Sequence, residues 1–267
     1  MKNTAIKYTP SYILHAAMKQ SAYDSNCTPE DFLRHENVFV ESKPNENAHR
    51  YLELPFVCDI VSYGTNALVS ARADLLEPLK AVIAPQSEPY RLFETPALYT
   101  INDVLAVADA KICFMADYFL PDADAVFSAV CPCEYELRVL SQEDFALLYL
   151  PEWGNALCAD RKNLDVLAVG AYSGEKLIGL AGCSADAEEF WQIGVDVLPE
   201  YRRQGIAAAL TNRLAREAFL REKIPFYCAA WSNIRSVKNA LCAGFKPGWV
   251  EATAKPVAFV EQLARGK

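Results

Sequence analysis

The chain has 267 residues, 52% of them hydrophobic, which is enough for two domains with cores of their own. A net charge of −8 without a basic stripe excludes a typical nucleic-acid binder. No apolar run reaches the ~18 residues of a membrane span, so no membrane association is expected.

The N-terminus, MKNTAIKYTPSYILHAAMKQ, has lysines but no continuous apolar core and no small-residue cleavage site. A cytoplasmic protein without a signal peptide is expected. PSYILHAAMKQSAY predicts a helix, and TPEDFLRHE another, with Thr28 as N-cap and Pro29 at the first helical position. NVFVES and RYLELPFVCDIVSYG read as strands, ALVSARADLLEPLKAVI as a helix, and KICFMADYFL as a closing strand. This half is acidic: residues 1–133 carry 10 Lys and Arg against 17 Asp and Glu, and the remainder 16 against 17. Such a field favours a cationic small molecule over an anionic one.

His15, His35 and His49 lack metal-ligand spacing. Nine cysteines at irregular intervals, most within apolar runs such as FVCDIV and FYCAAW, read as reduced packing residues. CPC at Cys131 to Cys133 has neither a second pair nor a nearby histidine, so it reads as linker and no metal is expected. The break between domains is placed there: 1–130 as a smaller accessory α/β domain, 134–267 as a second α/β domain with a mixed sheet.

The second half opens with the strand YELRVL and the helix SQEDFALLYL, capped by Ser141 and Asp144. VLAVGAY and KLIGLAGCS are strands joined at SGEK. FWQIGVDV alternates, with Trp191, Ile193, Val195 and Val197 on one face. IAAALTNRLAREAFL repeats Ile206, Leu210, Leu214 and Ala218 at helical spacing. PFYCAAW is a strand, Ile234 to Ala243 a short helix, and FKPGWVE and VAFVEQL two further strands.

Between the alternating strand and the long helix lies VLPEYRRQGIAAAL. A helix start leaves its first N–H groups unpaired and carries the positive end of the macrodipole. Arg202 and Arg203 add charge, and Gly205 permits close backbone approach. With Gln204, Ile206, Ala207 and Ala208 they form an anion site suited to a pyrophosphate.

Arg202 to Ala207 match [RQ]-x-x-G-x-[GA], and SNIRSVKNALCAGF supplies N-x-x-S and G-F through Asn233, Ser236, Gly244 and Phe245. With the order of elements, this resembles the GNAT superfamily of acyl-CoA-dependent N-acyltransferases, from Glu134 to the C-terminus. The resemblance implies a splay between the strands Ile193–Val197 and Pro225–Trp231, which admits the pantetheine of acetyl-CoA. It implies pantetheine pairing near Val195 and Val197, pyrophosphate on the amides of Arg203 to Ala207, and Asn233 and Ser236 lining the arm or diphosphate. Direct attack by a primary amine, with an amide near Val195 stabilising the oxyanion, completes the implied mechanism.

Two positions depart from the family. Its tyrosine acid is replaced by Ala240, and a glutamate used by some members is replaced by Cys228. Asp196 and Glu189 are the candidate bases and Tyr227 the candidate acid, with a water relay or a group from the first half as alternatives. A small cationic acceptor and a homodimer are expected, and residues 1–130 read as a degenerate GNAT-like half that shapes the acceptor site or a dimer interface. The rival reading is a non-catalytic acyl-CoA-binding regulatory module.

Overall fold

A computed structural model describes residues 7–86 and 88–266. The N-terminal reading above rests partly on residues 1–6, which lie outside the described residues. No helix among the described residues is long and apolar enough to cross a membrane.

The chain forms an α/β fold in two compact units. The C-terminal unit comprises Met1–Leu14 and Tyr118–Pro247; the N-terminal unit comprises His15–Asp117 and Gly248–Lys267. The sequence places the break near residues 130–134, whereas the chain changes unit within two long strands, β4 (Ala110–Pro121) and β10 (Phe245–Pro256). The reason is strand pairing: Val250 to Thr253 of β10 pair with β2 (Cys58–Ser62), which draws the tail into the N-terminal unit.

In the N-terminal unit, β1 (Val38–Glu41) runs parallel to β3 (Leu68–Ala71), and β3 runs antiparallel to β2. Alternation divides the sheet into two faces. Cys58, Ile60, Val69, Ala71, Ala252 and Ala254 join an apolar core with the helices α2 (Leu76–Ile83) and α3 (Thr95–Leu105). Asp59, Ser70, Glu251 and Thr253 take the intervening positions, and Ser70 Oγ donates to Ser25 O of α1 (Pro10–Ser25) at 2.8 Å.

Several local expectations change. ALVSA, read as helix, is β3, because the turn at Gly64 (φ +100°) folds it back onto β2. TPEDFLRHE forms only a 3₁₀ turn over Pro29–Leu33, although Thr28 and Asp31 do make a capping box. VAFVEQL, read as strand, is a helix over Val257–Ala264; Val257, Val260 and Leu263 carry helical rather than alternating spacing.

In the C-terminal unit, β5 (Glu136–Leu140), β6 (Asp165–Ser173), β7 (Lys176–Ser184) and β8 (Phe190–Val197) are successively antiparallel, and β9 (Ile224–Ala230) is parallel to β8. The helix α6 (Ile206–Leu220) connects these last two and buries Ile206, Leu210, Leu214 and Ala218, the stripe expected from sequence. Each large apolar side chain on that stripe contributes about 2 kcal/mol of burial. The preceding helices of this unit are short: α4 (Ala123–Ser128) and α5 (Gln142–Phe145), the latter capped by Ser141 and Asp144 as expected but ending well before Leu150.

Candidate active site

β8 and β9 pair only from Phe190↔Ile224 to Ile193↔Tyr227. β8 continues to Val197 and β9 to Ala230, so the strands share no further rungs at their C-terminal ends. β8 stays paired with β7 throughout this stretch, Ala181↔Val195 and Gly179↔Val197. The β8 edge toward β9 is therefore left open from Gly194 to Val197, the stretch that includes Val195 and Val197.

Immediately beyond β8, Leu198 N–H donates to Ile178 O and Arg202 Nε to Val197 O, 3.0 and 2.9 Å, and these bonds fix the exit of the strand. Arg203 (φ +65°) and Gly205 (φ +78°) both adopt left-handed backbone on either side of Gln204. Gln204 is held by Tyr135, whose hydroxyl donates to its Oε1 at 2.8 Å. The first helical bond of α6 is Ala209 N–H to Gly205 O, 3.1 Å. Among the described residues, the backbone N–H groups from Arg203 to Ala208 have no protein acceptor. Six adjacent donors, a helix dipole and two exposed guanidinium groups make a cradle that fits a pyrophosphate.

The glycine at 205 has a second reason besides ligand approach. A Cβ there would stand 2.9 Å from Pro132 O of the linker, in a conformation L-residues rarely adopt. The CPC segment is thus packed against the loop.

Facing side chains divide by strand alternation. Gly179, opposite Val197, lies under Ile206 and Leu210, so Ile193, Val195 and Val197 face α6. Tyr227, opposite Ile193, shares this face and is 4% exposed. Its hydroxyl shares a 2.8 Å hydrogen bond with Ser236 Oγ on α7 (Ile234–Cys242) and accepts from Asn239 Nδ2 at 3.4 Å. Burial pushes the Tyr227 hydroxyl above its ordinary value, while the bonds from Ser236 and Asn239 pull the other way. Asn239 Nδ2 also donates to Thr211 Oγ1 at 3.0 Å, and its Oδ1 is buried without a partner among the described residues. Asn233 caps α7, its Oδ1 accepting from Ser236 N–H at 3.2 Å. Ala240 is fully buried, so the family's usual tyrosine position faces packed interior.

The opposite face carries Gln192, Gly194, Asp196 and Cys228. Gln192 Nε2 donates to Cys228 Sγ at 2.9 Å. Gly194 pairs with Gly182 across the strands, and the backbone of Asn155 and Ala156 lies directly on both: a Cβ at either glycine would meet a carbonyl oxygen at 1.8 or 2.0 Å. Asp196 fastens this loop. Its Oδ2 accepts from Asn155 N–H and Ala156 N–H at 2.8 and 2.9 Å, and its Oδ1 from Asn155 Nδ2 at 2.6 Å.

The structure thus gathers Val195, Val197, Arg202 to Ala208, Tyr227 and Ser236 around the splayed end, with Asn233 at the start of α7. Asp196 stands beside them on the other face. Glu189 precedes the first residue of β8, at the paired end, roughly 23 Å along the strand from Asp196. Sequence reasoning missed Asn155, Ala156, Gly182 and Gly194. The signal was there: glycines inside two adjacent strands mark close backbone approach.

Residues 133–245 match the acetyltransferase (GNAT) family. Among solved structures, a GCN5-related N-acetyltransferase-like protein from Streptococcus suis is 17% identical over 60% of this chain and 68% of its own, with a TM-score of 0.43. An acetyltransferase of the GNAT family from Colwellia psychrerythraea is 15% identical over 57% of this chain, TM-score 0.43, and the chain spans only 61% of its length. An aminoglycoside N-acetyltransferase in complex with CoA is 18% identical over 45% of this chain and 93% of its own, TM-score 0.34. No curated protein matches the sequence.

Proposed function

We propose that residues 133–245, which match the acetyltransferase (GNAT) family, transfer an acetyl group from acetyl-CoA to a primary amine. The observation that carries this reading is the splay after Ile193↔Tyr227, directly beside the cradle of six unpaired N–H groups. One feature admits an extended arm and the other holds its phosphates, and together they suit an acyl-CoA. The acceptor we favour is small and cationic overall, in keeping with the acidic charge of residues 1–133.

The two faces of β8 divide the chemistry. The amine enters beside the Asn155–Ala156 loop, which itself covers Gly194 and is fastened by Asp196. Its nitrogen attacks the thioester carbonyl carbon, and a β8 amide near Val195 stabilises the oxyanion. The C–S bond then breaks, and the CoA thiolate takes a proton from the Tyr227 hydroxyl on the α6 face, which Ser236 and Asn239 orient. The proton lost by the attacking nitrogen returns through water to Tyr227, leaving neutral amide and free thiol. Asp196 has its carboxylate committed to three N–H donors, which supports a positioning role for it rather than that of a base. The ammonium proton of the acceptor passes to water, so the reactive form is the free amine.

The test is native mass spectrometry of the protein with acetyl-CoA and a panel of primary amines, followed by analysis of the small molecules. Bound acetyl-CoA with one acetylated amine is the expected result. Bound acetyl-CoA without any product favours the rival, a non-catalytic acyl-CoA-binding module for which Ala240 speaks. Absence of bound acetyl-CoA overturns both.

A further inference from the structure

Between α4 and β5 the chain from Ala129 to Tyr135 is neither helix nor strand, and it lies against the cradle at two points. Pro132 O stands 2.9 Å from where a Cβ of Gly205 would be, and the Tyr135 hydroxyl donates to Gln204 Oε1 at 2.8 Å. The segment starts from α6, where Arg216 Nη2 donates to Ala129 O at 2.9 Å. It is a strap across the loop that carries Arg203, Gln204 and Gly205.

One thiol of this strap reaches a second thiol-bearing residue. Cys131 Sγ donates to the carbonyl oxygen of Cys242, the last residue of α7, at 3.6 Å. The bond is weak, and it occupies one of the carbonyls that a helix end leaves open. Covalent geometry then keeps the two Cα atoms within about 9 Å, against about 4.4–6.8 Å in a disulfide. A shift of at most about 2 Å brings the pair into bridging range. The strap is the side that makes it, having no helical or ladder bonds to break.

Accessibility sets the order of reaction. Among the described residues Cys242 is the exposed cysteine, while Cys131 and Cys133 are half-buried and Cys58 and Cys183 fully buried. Burial raises the Cys131 thiol, the Arg216 guanidinium pulls it down, and charge on the neighbouring Cys242 pushes it up again. Attack on an external reagent therefore begins at Cys242.

We propose that Cys131 and Cys242 are a redox pair, and that the disulfide between them draws the strap off the cradle and weakens acyl-CoA binding. The effect on binding rests on the acetyl-transfer reading; the bridge does not. The oxidant is a small-molecule disulfide. Cys242 loses its thiol proton to water, and its sulfur attacks the oxidant, whose S–S bond breaks and releases one thiolate to be protonated. Cys131 then loses its proton and attacks Cys242 Sγ, expelling the other half of the oxidant as the second thiol. Two protein thiols are oxidised to one disulfide, and one external disulfide is reduced to two thiols. Movement of Cys131 toward α7 carries Pro132 with it, away from Gly205, and pulls Tyr135 from Gln204.

The experiment incubates the full chain with oxidised glutathione and reads intact mass, a non-reducing peptide map and acetyl-CoA affinity by calorimetry. The expected result is loss of two hydrogen atoms, a linked Cys131–Cys242 peptide and acetyl-CoA affinity lower by about tenfold or more, restored by dithiothreitol. Cys242→Ser, at an exposed helix end, folds normally, forms no bridge and keeps its affinity in the oxidant. Cys133→Ser still bridges and still responds. A bridge between Cys131 and Cys133, a glutathione adduct that stops at Cys242, or a Cys131–Cys242 bridge with unchanged affinity each overturns the proposal. A reduced chain that fails to bind acetyl-CoA overturns the acetyl-transfer reading instead, and the peptide map still decides the bridge.

Discussion

Ile193 of β8 pairs with Tyr227 of β9, and this is the last rung that joins the two strands. Tyr227 therefore stands at the root of the opening, where its hydroxyl is fixed by Ser236 and Asn239. In the proposed mechanism this strand tyrosine takes the part of the acid that the helix lacks at Ala240.

Tyr227→Phe should accordingly lower kcat by about 10- to 100-fold, the usual worth of a positioned acid. Affinity for acetyl-CoA should change little, since the ring and its packing remain. Burial raises this hydroxyl above its ordinary value of 10.0, so it stays protonated through neutral and mildly alkaline pH. An acid function of this kind is lost only as pH rises through the raised value. Steady-state rates against pH check the point; an unchanged kcat in Tyr227→Phe removes the residue from the mechanism.

At the phosphate cradle, stability and affinity separate. Gly205→Ala places a Cβ in left-handed backbone and 2.9 Å from Pro132 O, at a cost of about 1–3 kcal/mol. Arg203→Gly relieves a left-handed arginine (φ +65°) and should be neutral or slightly stabilising. Both should weaken acetyl-CoA, the first by distorting the loop and the second by removing a charge. Thermal melts and calorimetry on the pair decide it: opposite signs in stability with the same sign in affinity is the expected pattern. For Arg203→Gly the loss should shrink as salt is raised.

The run of unpaired N–H groups at the start of α6 was legible because its determinants are local, a strand, a glycine and an amphipathic helix in sequence, and the Ser141 capping box was equally plain. The faces of β8 and β9 were harder to assign. Alternation gives two faces but not which one the loop covers, and that depends on Asn155 and Asp196, which lie far apart in sequence. Strand neighbours were harder still. Nothing in KICFMADYFL says that it will lie beside β9, where Tyr118 stacks on Phe226 with ring centroids 6.4 Å apart. The helix over Val257–Ala264 was misread because a short apolar run supports either period.

Asp196 distinguishes a positioning residue from a base. Asp196→Asn exchanges one acceptor oxygen for a donor facing N–H groups, and should destabilise the Asn155–Ala156 loop by about 2 kcal/mol. KM for the amine should rise through loss of the loop's position, while the pH dependence of kcat/KM keeps the midpoint set by the free amine. Full kinetic profiles of wild type and variant test this. A midpoint that moves in the variant would restore Asp196 as the base.

The last prediction concerns stability rather than turnover. Burial and the Asp24 charge raise the Glu251 carboxyl from 4.5 to about 7. Between those values the folded chain holds a proton that the unfolded chain has released. Stability contributed by this group therefore falls as pH rises from about 4.5 to 7, by at most about 1.4 kcal/mol per pH unit. Glu251→Gln keeps the shape and removes the titration. It should match wild type in denaturant midpoint near pH 4.5 and exceed it at pH 8. An equal difference at both pH values would show that Glu251 does not titrate in the folded chain.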